Sequence, residues 1–457
     1  TASPSFVGHM TSALPDFMLP LSKIMIALNQ NLVKTETSKS FTPIERQVTG
    51  MLHRLVYNQS SEFYQQYMHN QNYALGAFGS GGTIANITAL WVARNNAFEI
   101  TDDFEGVHQE GLAAGLIHHG YRGAAILVSE RGHYSLKKTA DVLGLGAKNI
   151  ISVKTDADNR ICMAALRAEC QRLQSQKIKI IALVGVAGTT ETGSVDPLDQ
   201  MADLAEQLDC HFHVDGAWGA PTLFSTKYGP LLKGIERADS VTIDAHKQLY
   251  VPMGAGLVVF KDPKALCSIE HHAQYIIRKG SKDLGSKTLE GSRPGMAMLV
   301  HSGLKILGRS GYELLIDEGI NKTRQFAKLI SLHGDFELNS EPTLNILTYR
   351  YLPQWLKEVM GRCDNETLVK LNQSLNRFTK YLQKTQRGHG KAFVSRTQLT
   401  PHCYDHQEII VFRVVLANPL TTMNILEDIL YEQETLAHAP EAMVYQNKLK
   451  SLAAAYL

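Results

Sequence analysis

Over residues 73–259 the chain alternates short, continuous apolar runs with longer segments of helical periodicity, and few architectures accommodate that pattern. Residues 124–128, 178–186, 211–214, 240–243 and 256–260 read as strands, and residues 84–97, 163–173 and 198–208 as helices between them. Strands that are apolar throughout need cover on both faces, which helical crossovers between parallel strands provide. The expectation is an α/β fold with a mostly parallel central sheet and ligands at the carboxyl ends of its strands.

Outside that region the pattern changes. Residues 1–55, with apolar positions at Leu21, Ile24, Met25 and Leu28 and then Val48, Leu52, Leu55 and Val56, read as a helical arm able to wrap a neighbour. Residues 56–311 form the expected large domain. Residues 312–457, with more polar helices and strands at 345–349 and 408–415, form a smaller α+β domain. Over 276–294, Gly280, Gly285 and Gly291 among lysines and serines break any periodicity, so a mobile segment is expected there.

Composition removes several classes of function. With 457 residues, 44% hydrophobic and 20% charged, disordered, collagen-like and coiled-coil chains are excluded. The 46 basic and 44 acidic side chains give a net charge of +2, without the concentrated basic surface that nucleic acid or an anionic membrane requires. The longest apolar stretch, residues 178–187, is about half of the roughly 18 that suggest a membrane span. The opening Thr1-Ala2-Ser3-Pro4 has neither an initiator Met nor a secretory pattern, so a trimmed chain is expected. Cysteines at 162, 170, 210, 267, 363 and 403 form no C-x-x-C pair and no short cluster with histidine. Reduced thiols, no metal site and a cytoplasmic location follow as expectations.

The chemistry concentrates at expected strand ends. In 240–250 an apolar strand runs into His246-Lys247, which sets an ammonium beside buried surface, where its neutral, nucleophilic form becomes accessible. Asp215, in His213-Val-Asp-Gly-Ala217-Trp, ends another strand, and a buried carboxylate there needs a cation. A pyridinium nitrogen supplies one, and the carboxylate keeps that ring electron-withdrawing. Gly81-Gly82-Thr83 precedes a helix, where outward backbone N–H groups and the helix dipole favour a phosphate. His133 follows the strand ending at Val128 and could stack on a planar ring. Thr189-Thr190 could give a hydroxyl to a ring substituent. Arg413 interrupts the apolar run 409–416 and should be paired if buried, by a structural acid or by a substrate carboxylate.

The ordered set Gly-Gly-Thr83, His133, Gly-Thr-Thr190 with Asp196-Pro197, Val-Asp215-x-Ala217-Trp, His246-Lys247 and Phe412-Arg413 through Asn418-Pro419 resembles the group II pyridoxal-phosphate decarboxylases over nearly the whole chain. That resemblance implies a fold type I architecture, related to the aspartate aminotransferases, and a homodimer with shared active sites. It implies pyridoxal 5'-phosphate on Lys247, Asp215 at the pyridine nitrogen, His133 on the ring and Thr190 at the phenolic oxygen. Gly82, Thr83 and His246 would hold the phosphate, Ala217 and Asp244 would line the cofactor, and Arg413 would receive a substrate carboxylate. Tyr275 resembles the family's mobile-loop tyrosine that delivers a proton. The chain departs from the pattern at Ser3-Pro4, where relatives have His-Pro, and at Asp244, where many have Asn.

The opening 6–15 is similar to that of bacterial aspartate 1-decarboxylases and, less so, of glutamate decarboxylases. The expected reaction is decarboxylation of an acidic amino acid, aspartate to β-alanine or glutamate to GABA, with His9 favouring an anion. Decarboxylation of 2,4-diaminobutyrate, another reaction on the same cofactor such as transamination, and an idle regulatory homologue remain open alternatives.

Overall fold

The computed structural model describes residues 2–273 and 280–457. Its centre is a seven-stranded sheet in the order β1-β7-β6-β5-β4-β2-β3, formed by β1 (Gly76–Gly79), β2 (Gly123–Ser129), β3 (Ile150–Val153), β4 (Ile178–Val186), β5 (His211–Asp215), β6 (Ser240–Asp244) and β7 (Gly256–Phe260). The strands β3, β2, β4, β5 and β6 pair in parallel, and β7 alone runs against the rest. The fold is therefore α/β with a mostly parallel sheet. The expected runs match β2 and β4 to β7 to within two residues. The strands β1 and β3 were not expected; β1 reads Gly-Ala-Phe-Gly and exists because β7 supplies its hydrogen-bond partner.

Helices Met163–Ser175 and Leu198–Leu208 bury one apolar face each, through Leu166, Cys170 and Leu173 and through Leu198, Met201 and Ala205. The helix Gly82–Asn96 lies against β1, β6 and β7. A second, four-stranded antiparallel sheet has the order β10-β11-β9-β8, from β8 (Phe336–Leu338), β9 (Ile346–Tyr351), β10 (Ser395–Leu399) and β11 (Ile409–Val415). The long helix Gly308–Leu332 leads into it. A ring of bonds ties the two sheets together: Trp218 Nε1 to Asn345 Oδ1, Asn345 Nδ2 to Gln248 Oε1, and Gln248 Nε2 to the Trp218 carbonyl, at 2.9, 2.8 and 2.7 Å.

The amino-terminal stretch departs from the helical expectation up to residue 17. Phe6 bridges to Phe393 with rings 4.6 Å apart, and the Val7 carbonyl accepts from the Val415 N–H. Pairing with the edge of the small sheet outcompetes local helix formation and carries the next residues toward the large sheet. Helices follow at Met18–Leu28 and Phe41–Tyr57. The second buries Val48, Leu52 and Val56, whereas on the first Leu19, Ile24, Ile26 and Leu28 are exposed.

The described part of the 276–294 segment is not a bare loop. Arg293 pairs with Glu45 in the interior, Lys287 with Glu270, and the Gly285 N–H donates to the Val33 carbonyl. Tyr275 lies outside the described residues.

Candidate active site

The parallel strands bring their carboxyl ends to one edge of the sheet, and a cavity of about 480 Å³ opens there. Its walls come from the turns after β2, β4, β5 and β6, from the start of the helix Gly82–Asn96, and from β11 and the amino-terminal stretch. Gly82, Thr83, His133, Thr190, Asp215 and Ala217 line it. So do Asp244, His246, Lys247, Arg413 and His9, residues more than four hundred positions apart at the extremes.

The glycine-rich turn is shaped by close backbone approach. A Cβ on Gly256 would meet Gly81 Cα at 2.5 Å, and one on Gly82 would meet Asp244 Oδ2 at 2.8 Å. Two glycines thus let the turn lie directly on β7 and the end of β6. The helix begins at Gly82 with no side-chain cap, so its first N–H groups face the cavity edge. Ser80, one step outside, already donates through its N–H and hydroxyl to Glu290, both at 2.8 Å.

Asp215 is buried at the end of β5, and its carboxylate is held rather than isolated. Asn86 Nδ2 donates to Oδ2 at 3.0 Å and the Ala217 N–H to Oδ1 at 3.2 Å. The Asn86 carbonyl oxygen accepts from Thr242 Oγ1 at 2.7 Å and from His213 Nε2 at 3.0 Å. Burial lowers the His213 pKa to about 3, against the nearby Asp215 charge, so its ring is neutral. With Nε2 donating, Nδ1 accepts from Ser240 Oγ at 2.8 Å. The sequence assigned a role to neither Asn86 nor His213, since their partners lie on other elements.

Lys247 was expected beside buried surface, with no acid named as its neighbour. Instead its Nζ lies 2.9 Å from Asp244 Oδ2, because the tight turn after β6 folds the lysine back over the strand end. Asp244 therefore contacts the lysine, and its other oxygen, Oδ1, is buried without a hydrogen-bond partner among the described residues. His246 Nδ1 donates to the Ala255 carbonyl at 2.8 Å, and Nε2 stands 3.7 Å from Asp244 Oδ2.

The His133 pKa is lowered by burial, with Asp215 opposing. The Ser135 N–H donates to Nδ1 at 3.3 Å, which leaves Nε2 as the protonated nitrogen of the neutral ring. Thr190 uses its carbonyl to accept from Arg413 Nε, and Thr189 turns away to bond Thr192 at 2.8 Å. Arg413 also donates to the Gly8 carbonyl at 3.3 Å and to Ser395 Oγ at 3.4 Å, while among the described residues Nη2 is buried without a partner. Burial pushes its pKa down to about 10, so it remains cationic at neutral pH. His9 is lowered by burial first and by Arg413 and Lys247 next.

Residues 2–352 match the family described as the pyridoxal-dependent decarboxylase conserved domain. The chain belongs to the pyridoxal-dependent decarboxylases. This decarboxylase is 60% identical over 441 residues to aspartate 1-decarboxylase of Aliivibrio fischeri, covering 96% of this chain and 81% of that one. It is 30% identical to aromatic-L-amino-acid decarboxylase of Bacillus atrophaeus over 80% of this chain and 69% of the other. Among solved structures it superposes on mouse CSAD in apo form with a TM-score of 0.81 at 27% identity, covering 95% of this chain and 84% of that one.

Pyridoxal phosphate is the cofactor of this decarboxylase, and the cavity has features that suit it. The uncapped helix start at Gly82 offers N–H groups to a phosphate. The Asp215 carboxylate takes one donor on each oxygen, which leaves capacity for a ring N–H. A volume of about 480 Å³ lies within the range of cofactor and ligand sites, about 300–1,000 Å³.

Proposed function

We propose that this amino acid decarboxylase acts on L-aspartate, releasing carbon dioxide and leaving β-alanine. The observation that carries the choice is the 60% identity, over 96% of the chain, with a relative named aspartate 1-decarboxylase. Relatives named L-2,4-diaminobutyrate decarboxylase are far less similar, at 28% and 26%. The Arg413 guanidinium on the cavity wall favours an anionic substrate over a cationic one, with the neutral His9 ring beside it as a polar neighbour.

The surroundings of the site residues support the following roles, except for Tyr275, whose role rests on its resemblance in sequence alone. Lys247 would hold the cofactor covalently through Nζ, with Asp244 beside it to keep the amine in place. Gly82, Thr83 and His246 would hold the phosphate, and Ala217 would pack its methyl group against the ring. When bound, pyridoxal phosphate supplies an electrophilic carbon for the substrate amine and a pyridinium that accepts the electron pair left as carbon dioxide departs. Asp215, fixed by Asn86, would keep a proton on the pyridine nitrogen. His133 would lie on the ring and present Nε2–H, and Thr190 would approach the phenolic oxygen. Arg413 would orient a substrate carboxylate, and Tyr275 would return a proton to the substrate carbon.

The exposed Leu19, Ile24, Ile26 and Leu28 on the first helix support a homodimer in which this arm packs on a second copy. Six free cysteines suit a reducing cytoplasm. Purified enzyme with added pyridoxal phosphate and a panel of aspartate, glutamate, cysteine sulfinate, diaminobutyrate and aromatic amino acids tests the substrate. Aspartate is expected to give the highest kcat/KM with β-alanine as product; a clear preference for any other member overturns the proposal.

A further inference from the structure

Two guanidiniums on the cavity wall, Arg131 and Arg413, are each about nine-tenths buried, and among the described residues neither pairs with an acid. The other charges of the cavity are accounted for: Lys247 faces Asp244, and Asp215 is held by Asn86 and the Ala217 N–H. Arg413 spends three contacts on the Thr190 and Gly8 carbonyls and on Ser395 Oγ, which fixes its plane and leaves Nη2 over. Arg131 is less engaged: among the described residues its guanidinium has no hydrogen-bond partner, and Nε is fully buried.

The turn after β2 explains how Arg131 reaches the cavity. The Gly132 N–H donates to the Ser129 carbonyl at 2.7 Å, and a Cβ on Gly132 would meet Val128 Cγ2 at 2.7 Å. The resulting tight bend, fixed further by the Arg131 N–H on Ser129 Oγ at 3.1 Å, lets both Arg131 and His133 line the same space. Glu191, whose charge acts on both guanidiniums, forms no ion pair with either among the described residues and is no substitute for a ligand. Among the described residues its Oε2 is buried without a partner, and burial raises its pKa against the pull of Arg131 and Arg413.

A buried, unpaired guanidinium is costly, and a planar fork without an acceptor is suited to a carboxylate. One such group serves an amino acid with a single carboxylate; two match a dicarboxylic one. We infer that Arg131 is the specificity-determining residue that receives the side-chain carboxylate of the acidic substrate, while Arg413 receives the α-carboxylate. This rests on an acidic amino acid as the substrate.

The test compares wild-type holoenzyme with Arg131→Gln and Arg131→Lys, using inhibition by succinate, a four-carbon dicarboxylate, against butyrate, its monocarboxylate counterpart. Truncating one member of a buried charge pair typically costs enough for a change on the order of 100-fold. Arg131→Gln is expected to weaken succinate by about that factor, to leave butyrate within about 3-fold, and to raise KM for aspartate more than it lowers kcat. The Lys variant, which keeps the charge without the fork, is expected to weaken succinate by about 3- to 10-fold. Affinity for pyridoxal phosphate, read by absorbance titration, is expected to stay within about 3-fold. Succinate inhibition unchanged in either variant overturns the inference, as does a parallel loss of butyrate or of cofactor binding, which would place Arg131 at the phosphate or in the framework. If wild type decarboxylates no acidic amino acid, the substrate proposal fails by itself, and the succinate-to-butyrate ratio still reads Arg131 directly.

Discussion

Asn86 Nδ2 donates to Asp215 Oδ2 across 3.0 Å, joining a helix and a strand whose residues are 129 positions apart. The same amide accepts from Thr242 and His213, so one side chain locks the Asp215 carboxylate to two strands at once. Asn86→Ala removes the donor and leaves two buried donors without an acceptor. A hydrogen bond to a charged group contributes about 1.5–3 kcal/mol, so kcat is expected to fall roughly 10- to 100-fold. Steady-state assays at saturating cofactor measure it, and wild-type kcat would show that Asp215 needs no such anchor.

Lys247 and Asp244 form a pair at 2.9 Å in which the carboxylate side chain is 4% exposed and the lysine 20%. Lys247→Ala leaves that carboxylate without its cation, a change that costs about 3–5 kcal/mol when both partners are fully buried. With the lysine partly exposed, a loss at or below the lower end is expected for the cofactor-free protein. The double variant Asp244→Asn with Lys247→Ala should regain most of it. Urea unfolding of the wild type, the Lys247→Ala and Asp244→Asn single variants and the double variant measures the coupling. Borohydride is expected to fix cofactor to the wild type and to none of the Lys247 variants.

His53 is enclosed between the Tyr64 hydroxyl at 2.9 Å and the Phe260 carbonyl at 3.0 Å, and burial lowers its pKa to about 4. An unfolded histidine titrates near roughly 6.5. Between those values the unfolded chain binds more protons, so the contribution of His53 is fully present above about 6.5 and is lost as pH falls toward 4. His53→Gln is expected to be less stable at neutral pH, with a flatter pH dependence through that window. Unfolding midpoints at several pH values decide it, and an unchanged slope would remove His53 as a source of acid sensitivity.

Glu45 and Arg293 pair with side chains only 4% and 6% exposed, and Arg293 also donates to the Glu290 and Gly291 carbonyls. Glu45→Gln is expected to destabilise the fold by about 3–5 kcal/mol, as for other broken buried pairs. Because Glu290 holds the Ser80 turn, limited proteolysis near residues 280–294 should quicken and cofactor affinity should fall. A variant as protease-resistant as wild type would show that residues 280–294 are held elsewhere.

The strands β2, β4, β5, β6 and β7 were legible because a buried parallel strand must be apolar throughout, a signal carried by a few adjacent residues. Lys247, Asp215 and His133 were legible for a related reason: each is a polar residue at the end of such a run, where burial makes it conspicuous. By contrast β1, the bridge of Phe6 to Phe393 and the Arg413 contact with Gly8 depend on partners far along the chain. No local pattern encodes which distant carbonyl accepts a hydrogen bond.

What the amino-acid order determined by itself was the alternation that builds the central sheet and the set of polar residues stationed at its strand ends. Tertiary structure alone decided their company: that Lys247 faces Asp244, that Asn86 grips Asp215, and that Arg131 is left buried with no acid paired to it among the described residues. The physical reason is range. Periodicity and propensity act over a few residues, whereas charge pairing and hydrogen bonding are settled only when the packed sheet brings separate turns within about 3 Å of one another.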